Sequence, residues 1–265
     1  APASGAALSG TVTPTATATD DVGVTQVEFY DGARLIGTDT SPPYELEWDT
    51  ATASNGPGTL SARAYDGTCG LTDSAAVDVT IQNTGNASFD SQWQVPACAT
   101  VGGRCDSVWL LEGRGTLGPE PHAPNTLGGT CADGPRFTDR FTPALDRLVV
   151  FRSDGTAFAP GKEVTIEATV RSNSTAIHYL DLYSAPDASN PTWTLIKSLY
   201  TYGIRHQVLS TTFLLPEGGL QAIRGVFRVE GSATTCHTSY YPATDHDALV
   251  FPVGQESDSL PPPVP

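Results

Sequence analysis

Residues 96–134 read PACATVGGRCDSVWLLEGRGTLGPEPHAPNTLGGTCADG, a stretch dense in Gly and Pro that holds three of the chain's five cysteines. It carries little of the apolar–polar alternation a strand needs, so it reads as loop. A loop of this length inside a compact domain is uncommon unless it is functional or tied down, and its cysteines point to a loop that is tied down. Any fold for this chain must accommodate that excursion and anchor it.

On either side the pattern has period two. In residues 10–19, GTVTPTATAT, Val12, Pro14, Ala16 and Ala18 share one face and Thr fills the other, which predicts a half-buried strand. Pro14 marks an edge or a bulge. A strand over 24–30 with Val27 and Phe29 inward, the turn Asp31-Gly32 and a return over 34–38 make a hairpin. Strands over 44–48, 59–65 and 76–81, with turns at Asn55-Gly56 and Asp66-Gly67, complete a small Greek-key β-sandwich over residues 1–84. Residues 83–87, polar and Gly-containing, read as the domain boundary.

In residues 85–255 the alternation of Phe89, Ser91, Trp93 and Val95 predicts one strand leading into the long loop. Further strands follow over 148–152, 163–171, 179–183, 193–199, 207–215, 220–229 and 249–253. Within 163–170 the inward set is Val164, Ile166, Ala168 and Val170. Gly225, Phe227 and Val229 share a face opposite Arg224 and Arg228. With no credible helix, this is a jelly-roll-like double-sheet sandwich. The fold class is thus all-β, two β-sandwich domains in tandem, followed by a Pro-rich tail over 256–265 that favours extended polyproline conformations.

Charge and cysteine usage narrow the function. A net charge of −15 argues against nucleic acid, whose phosphates need a basic surface, and against an anionic membrane face. Such acidity keeps a secreted protein soluble or supplies carboxylates to calcium. No apolar run approaches the roughly 18 residues of a membrane helix. Five cysteines without zinc- or haem-type spacing fit two disulfides and one leftover thiol in an extracellular setting. A chain with no Met that begins at Ala1 reads as a mature secreted protein or an excised fragment.

The stretch TATATDDVGVTQVEFYDGARLIGTDTSPPYELEWDT with GTLSARAYDG resembles the bacterial Ig-like modules of secreted and surface enzymes, over residues 5–82. The resemblance implies an Ig-like sandwich acting as spacer or adhesion module. The chain departs from the pattern at Cys69, which stands in the turn after Tyr65-Asp66. Further on, CATVGGRCDS, GRGTLGPEPHAPNTLGGTCADG, FAPGKEVTIEATV, LDLYSAPDASNPTWTLI, LQAIRGVFRVEGSATTC and DHDALVF together resemble a C-terminal accessory module of secreted bacterial peptidases, over residues 88–253. Members usually carry more acidic residues after the Cys-Ala-Asp-Gly element and around the final His.

That resemblance and the spacing agree on Cys98–Cys105 and Cys131–Cys236, the second stapling the long loop to the turn after the 220–229 strand. Sequence leaves other connectivities open, with Cys69 as a competing partner. The staple would bring Asp133 near Asp245 and Asp247 as calcium ligands; Asp20, Asp21 and Asp66 could form a second clamp at one end of the first sandwich, or simply bond their own turns. Exposed aromatics, Tyr202, Tyr240 and Tyr241 above all and Tyr200 and Trp193 beside them, are candidates for a binding face. No HExxH, GxSxG or phosphate loop is present, and the histidines are scattered, so the chain is expected to be non-catalytic. The leading expectation is a secreted bacterial binding or adhesion region that targets or spaces an enzyme at an extracellular polymer, cell surface or protein partner. The alternative is a self-assembling subunit of an extracellular filament or surface layer, joined through its termini.

Overall fold

The computed structural model describes residues 2–67, 70–113, 117–129, 131, 143–172, 176–203, 205–229, 231–236 and 244–254. Cys69, Asp133, Tyr240, Tyr241 and the tail on which the filament reading leans lie outside the described residues. The chain divides into two compact units, Ala1–Asn83 and Thr84–Pro265. Each is a β-sandwich.

The first unit contains β1 (Ala6–Leu8), β2 (Thr11–Val12), β3 (Thr15–Ala16), β4 (Val24–Asp31), β5 (Arg34–Asp39), β6 (Tyr44–Glu45), β7 (Trp48–Asp49), β8 (Gly56–Asp66), β9 (Leu71–Asp73) and β10 (Val77–Ile81). One sheet has the order β1-β10-β8-β4-β5, with β9 also on β8; β2–β7 and β3–β6 form separate pairs. Val27, Phe29, Tyr44, Trp48, Leu60, Val79 and Ile81 are buried in its two core clusters. The single strand expected over 10–19 is broken at Pro14. Proline has no N–H for a ladder, and only its carbonyl takes part, accepting the Leu46 N–H at 3.1 Å. The β4–β5 hairpin turns through Gly32, whose φ of 58° suits glycine.

The second unit contains β11 (Ser88–Asp90), β12 (Val95–Ala97), β13 (Arg104–Asp106), β14 (Ala144–Phe151), β15 (Glu163–Ser172), β16 (Ile177–Ala185), β17 (Thr194–Tyr202), β18 (Arg205–Leu214), β19 (Leu220–Arg228) and β20 (Thr244–Pro252). A six-stranded sheet, β11-β12-β20-β19-β16-β17, packs on a four-stranded sheet, β13-β14-β15-β18. Val164, Ile166, Ala168 and Val170 all point into the shared core with Leu180, Leu182, Phe227, Leu249 and Phe251.

Three expectations are corrected. The strand predicted through Phe89 and Val95 is a hairpin of β11 and β12. Asp90 Oδ1 accepts the N–H groups of Gln92 and Trp93, and Gln94 sits at a φ of 56°, which no continuing strand tolerates. The strand predicted over 249–253 starts five residues earlier, at Thr244. Arg224 and Arg228, read as a polar face, are buried at 2% and 4% exposure, because β19 is covered on both sides.

Cys98–Cys105 and Cys131–Cys236 are both disulfides, with Cα–Cα distances of 5.9 and 5.5 Å. The long loop is braced beyond the second bridge. The buried guanidinium of Arg224 donates from Nη2 to Thr126 O (2.6 Å) and from Nη1 to Thr235 O (3.0 Å), and packs 4.3 Å above the Trp193 ring. One cation therefore grips both segments that the disulfide joins. Burial pulls its pKa down to about 10.

At the start of the same loop, Asp106 accepts Arg147 Nε and Nη2 (2.8 and 2.5 Å), Arg104 Nη2 (2.6 Å) and the Val108 N–H (2.8 Å). Burial would raise its pKa, but the Arg147 bonds and charge, the Val108 N–H and Arg104 outweigh that and leave it lowered. A folded-state pKa below the unfolded one means that the unfolded chain takes up the proton first. The stabilisation is therefore complete above the unfolded pKa of about 3.9 and is lost as pH falls through the folded one. We expect Asp106→Asn to cost about 2 kcal/mol in denaturant melts at pH 7. The gap between wild type and variant should close only below about pH 4; a gap that closes between pH 7 and 5 would contradict the assignment.

Candidate functional site

β20 carries an unusual order of residues for a strand buried on both faces. Alternation places Asp245 and Asp247 on the side of Leu249 and Phe251, which faces the four-stranded sheet, and His246 on the side of Ala248 and Val250. Asp245, His246 and Asp247 are each 0% exposed. Opposite Asp247 on β19 stands Gly225. A Cβ there would lie 2.4 Å from Leu145 Cδ2, so the glycine lets the two sheets approach beside the carboxylates. β14 has a register shift between Leu145 and Arg147, and the Leu145 N–H donates across the sandwich to Asp245 Oδ2 at 2.6 Å.

The long loop delivers a third carboxylate. Glu120, 5% exposed, joins Asp245 and Asp247 in a group whose ligand atoms all lie within 4.8 Å of one another. Among the described residues this is the one group of three or more Asp, Glu, His or Cys with that spacing. Glu120 is held by two neighbours. Asn125 Nδ2 donates to its Oε2 at 3.0 Å, and Gly113 lies so close that an added Cβ would come within 2.5 Å of the Glu120 backbone nitrogen. The loop is fixed to the strand by the Ala248 N–H, which donates to Asn125 O at 2.9 Å. Asn125 and Leu127 hold φ values of 47° and 54°, a strained arrangement that the surrounding contacts must sustain. The Arg171 guanidinium near this end is committed to Asp146 at 2.8 and 3.0 Å and to Gly113 O.

Of the residues singled out from sequence, the structure unites Asp245 and Asp247 and adds Glu120, which sequence reasoning missed. Among the described residues the other proposed clamp does not come together with that spacing. Asp20 Oδ1 accepts the N–H groups of Val22 and Gly23 (2.8 and 3.1 Å), and Asp66 Oδ1 accepts that of Gly70 at 2.8 Å. Asp20 and Asp66 line a cleft of about 750 Å³ in the first unit, walled by Ala16, Ala18, Ala62 and Ala64. Asp21 is exposed.

The aromatics also sort themselves. Tyr202 and Tyr200 stand on β17, the edge strand of the six-stranded sheet, at 64% and 68% exposure. Tyr200 is directly opposite Tyr179 on β16, and Tyr202 opposite Ile177, itself 50% exposed. Tyr179 is backed by Arg228, whose guanidinium carbon lies 4.6 Å from the ring centroid and which pairs with the buried Asp181 at 2.6 Å. Trp193 is partly buried and packs on the smaller apolar cluster under Arg224. Of the histidines, His178 is buried against Phe227 and His122 stacks on Phe89 at 4.0 Å. Burial lowers the pKa of both.

Residues 1–62 match the bacterial Ig domain family. Among solved structures, the chain is similar to the fibronectin(III)-like modules of Clostridium thermocellum CbhA, at 28% identity over 30% of this chain and 88% of that one, TM-score 0.28. It is also similar to SGBP-B of the Bacteroides ovatus mixed-linkage glucan utilization locus, in complex with a mixed-linkage heptasaccharide. There the identity is 11% over 96% of this chain and 66% of that one, TM-score 0.29. The D00-D0 domain of Intimin matches at 11% identity over 93% of this chain and 96% of that one, TM-score 0.22. At such low TM-scores these overlaps carry no functional argument. No curated protein sequence matches the chain. Among the described residues, no helix is long and apolar enough to cross a membrane.

Proposed function

We propose that this chain is a non-catalytic binding module, the accessory part of a secreted bacterial enzyme, which holds that enzyme at an uncharged extracellular polymer. The observation that carries the reading is the tyrosine row on β16 and β17. Two phenol rings more than 60% exposed, beside a half-exposed isoleucine, form an apolar face on a rigid sheet, the kind of surface that flat-faced partners stack on. Asp181 behind them is neutralised by Arg228, so the face itself carries little field. The net charge of −15 repels polyanions, and the uncharged tyrosine face suits an uncharged polymer. Two disulfides favour an oxidising, extracellular setting, and the Ig match over residues 1–62 suits a spacer.

The test is co-sedimentation with insoluble neutral polysaccharides, with purified, anionic bacterial cell wall as the contrasting case. Wild type should pellet with at least one neutral polysaccharide. The double variant Tyr200→Ala/Tyr202→Ala should bind about tenfold more weakly or worse, with a melting temperature unchanged because both rings are exposed. Wild type that stays in solution with every neutral polysaccharide, or a double variant that binds equally well, defeats the proposal.

A further inference from the structure

We propose that Glu120, Asp245 and Asp247, with the side-chain oxygen of Asn125, form a calcium site that locks the cross-linked loop onto β20.

The spacing is that of one coordination shell. Calcium–oxygen distances are about 2.3–2.6 Å, so two oxygens on opposite sides of the ion stand roughly 4.6–5.2 Å apart. One oxygen from each of the three carboxylates falls within a 4.8 Å spread. The donor set is oxygen only, without the sulfur or imidazole that would favour zinc or copper; His246, between the two aspartates, belongs to the opposite face of β20. Three carboxylates, each able to bind through one or both oxygens, plus an amide oxygen, approach the six to eight oxygens calcium takes. Magnesium keeps several waters in a strict octahedron, and a site 0–5% exposed has little room for them.

Asn125 supplies an observation independent of the acidic cluster. It is 0% exposed, and its amide reaches the group by donating from Nδ2 to Glu120 Oε2 at 3.0 Å. The other end of that planar amide, Oδ1, is buried and has no hydrogen-bond partner among the described residues. A buried amide oxygen left so is costly unless something electropositive meets it. A cation shared with the three carboxylates answers that need.

The consequences are mechanical. Glu120 and Asn125 belong to the loop, and Asp245 and Asp247 to β20, so the ion ties to β20 the same loop that Cys131–Cys236 ties covalently to the segment after β19. Carboxylates only 0–5% exposed suit a structural ion rather than a catalytic one. The site is separate from the tyrosine face, and its failure would leave polymer binding to be judged on its own test.

The experiment starts from full-length protein freed of metal with chelator and dialysed. Its metal content is measured by elemental analysis after re-equilibration with calcium, and its unfolding is followed with and without calcium or magnesium. We expect one bound calcium per chain and a melting temperature raised by roughly 5–10 °C when free calcium is about 100-fold above Kd. An equal concentration of magnesium should have a much smaller effect. Hydrogen exchange across 117–129 should slow on calcium addition. Asp247→Asn and, as a milder change in the loop, Glu120→Gln should each abolish at least half of the calcium-induced shift. No bound calcium, no shift in wild type, a magnesium shift as large as calcium's, or a full shift retained in both variants would overturn the assignment; the last would point to the Asp20 and Asp66 turns instead.

Discussion

Replacing Cys131 and Cys236 with serine should lower the stability of the second unit by about 4–5 kcal/mol, the chain-entropy value for so long a closed loop. The cysteines are 105 residues apart in sequence, so the bond removes a very large set of open conformations from the unfolded chain. In a domain of this size that is a fall of roughly 10–15 °C in melting temperature. The Cys98–Cys105 bridge spans only seven residues, and by the same relation its loss costs about 2 kcal/mol. The ordering of the two, longer loop first, is the point of the comparison. Differential scanning calorimetry of both double-serine variants measures it, and equal losses would show that strain or residual structure, not loop length, controls the bridges. The Arg224 bonds to Thr126 and Thr235 should keep the loop docked in part after the sulfurs are gone.

The second large effect belongs to the Asp181–Arg228 pair. Both side chains are buried, at 0% and 5% exposure, and meet at 2.6 Å. Ser198 Oγ also donates to Asp181 Oδ1 at 2.6 Å. Asp181→Ala leaves a guanidinium in the interior without its carboxylate, and we expect a loss of about 3–5 kcal/mol in denaturant melts. Replacing both members with apolar residues of similar size, Asp181→Leu with Arg228→Met, should recover most of it, because no charge is then stranded. A double variant no more stable than Asp181→Ala would mean that packing, not charge, dominates. The same pair backs Tyr179, so Asp181→Ala should also weaken polymer retention, while the double variant separates the loss of fold from the loss of the ring's support.

Much of this architecture is legible in the chain. In β15, Val164, Ile166, Ala168 and Val170 alternate with Glu163, Thr165, Glu167 and Thr169, and the strand can be read with its inward face because one side meets water and the other does not. The hairpin at Asp31-Gly32 is equally plain, since few residues other than glycine accept that backbone geometry. Where both faces are covered the rule loses its signal. β19 buries Arg224 and Arg228 along with Phe227, and the first half of β20, Thr244–Ala248, falls outside the strand read over 249–253 because its inward positions are aspartates.

The long loop divides along the same line. Its lack of periodicity and its cysteines follow from residues 96–134 alone, because local chemistry decides what cannot form a strand and what can cross-link. That Glu120 lies against Asp245 and Asp247, more than a hundred residues away in sequence, comes only from the packing of the loop over the end of the sandwich. Nothing near Glu120 in the chain distinguishes it from any other loop acid. Its environment is made by a glycine that leaves room at position 113, an asparagine held in a left-handed turn, and a strand whose aspartates point inward. A carboxylate's role here depends on the charges that surround it in space, and folding alone brings those together.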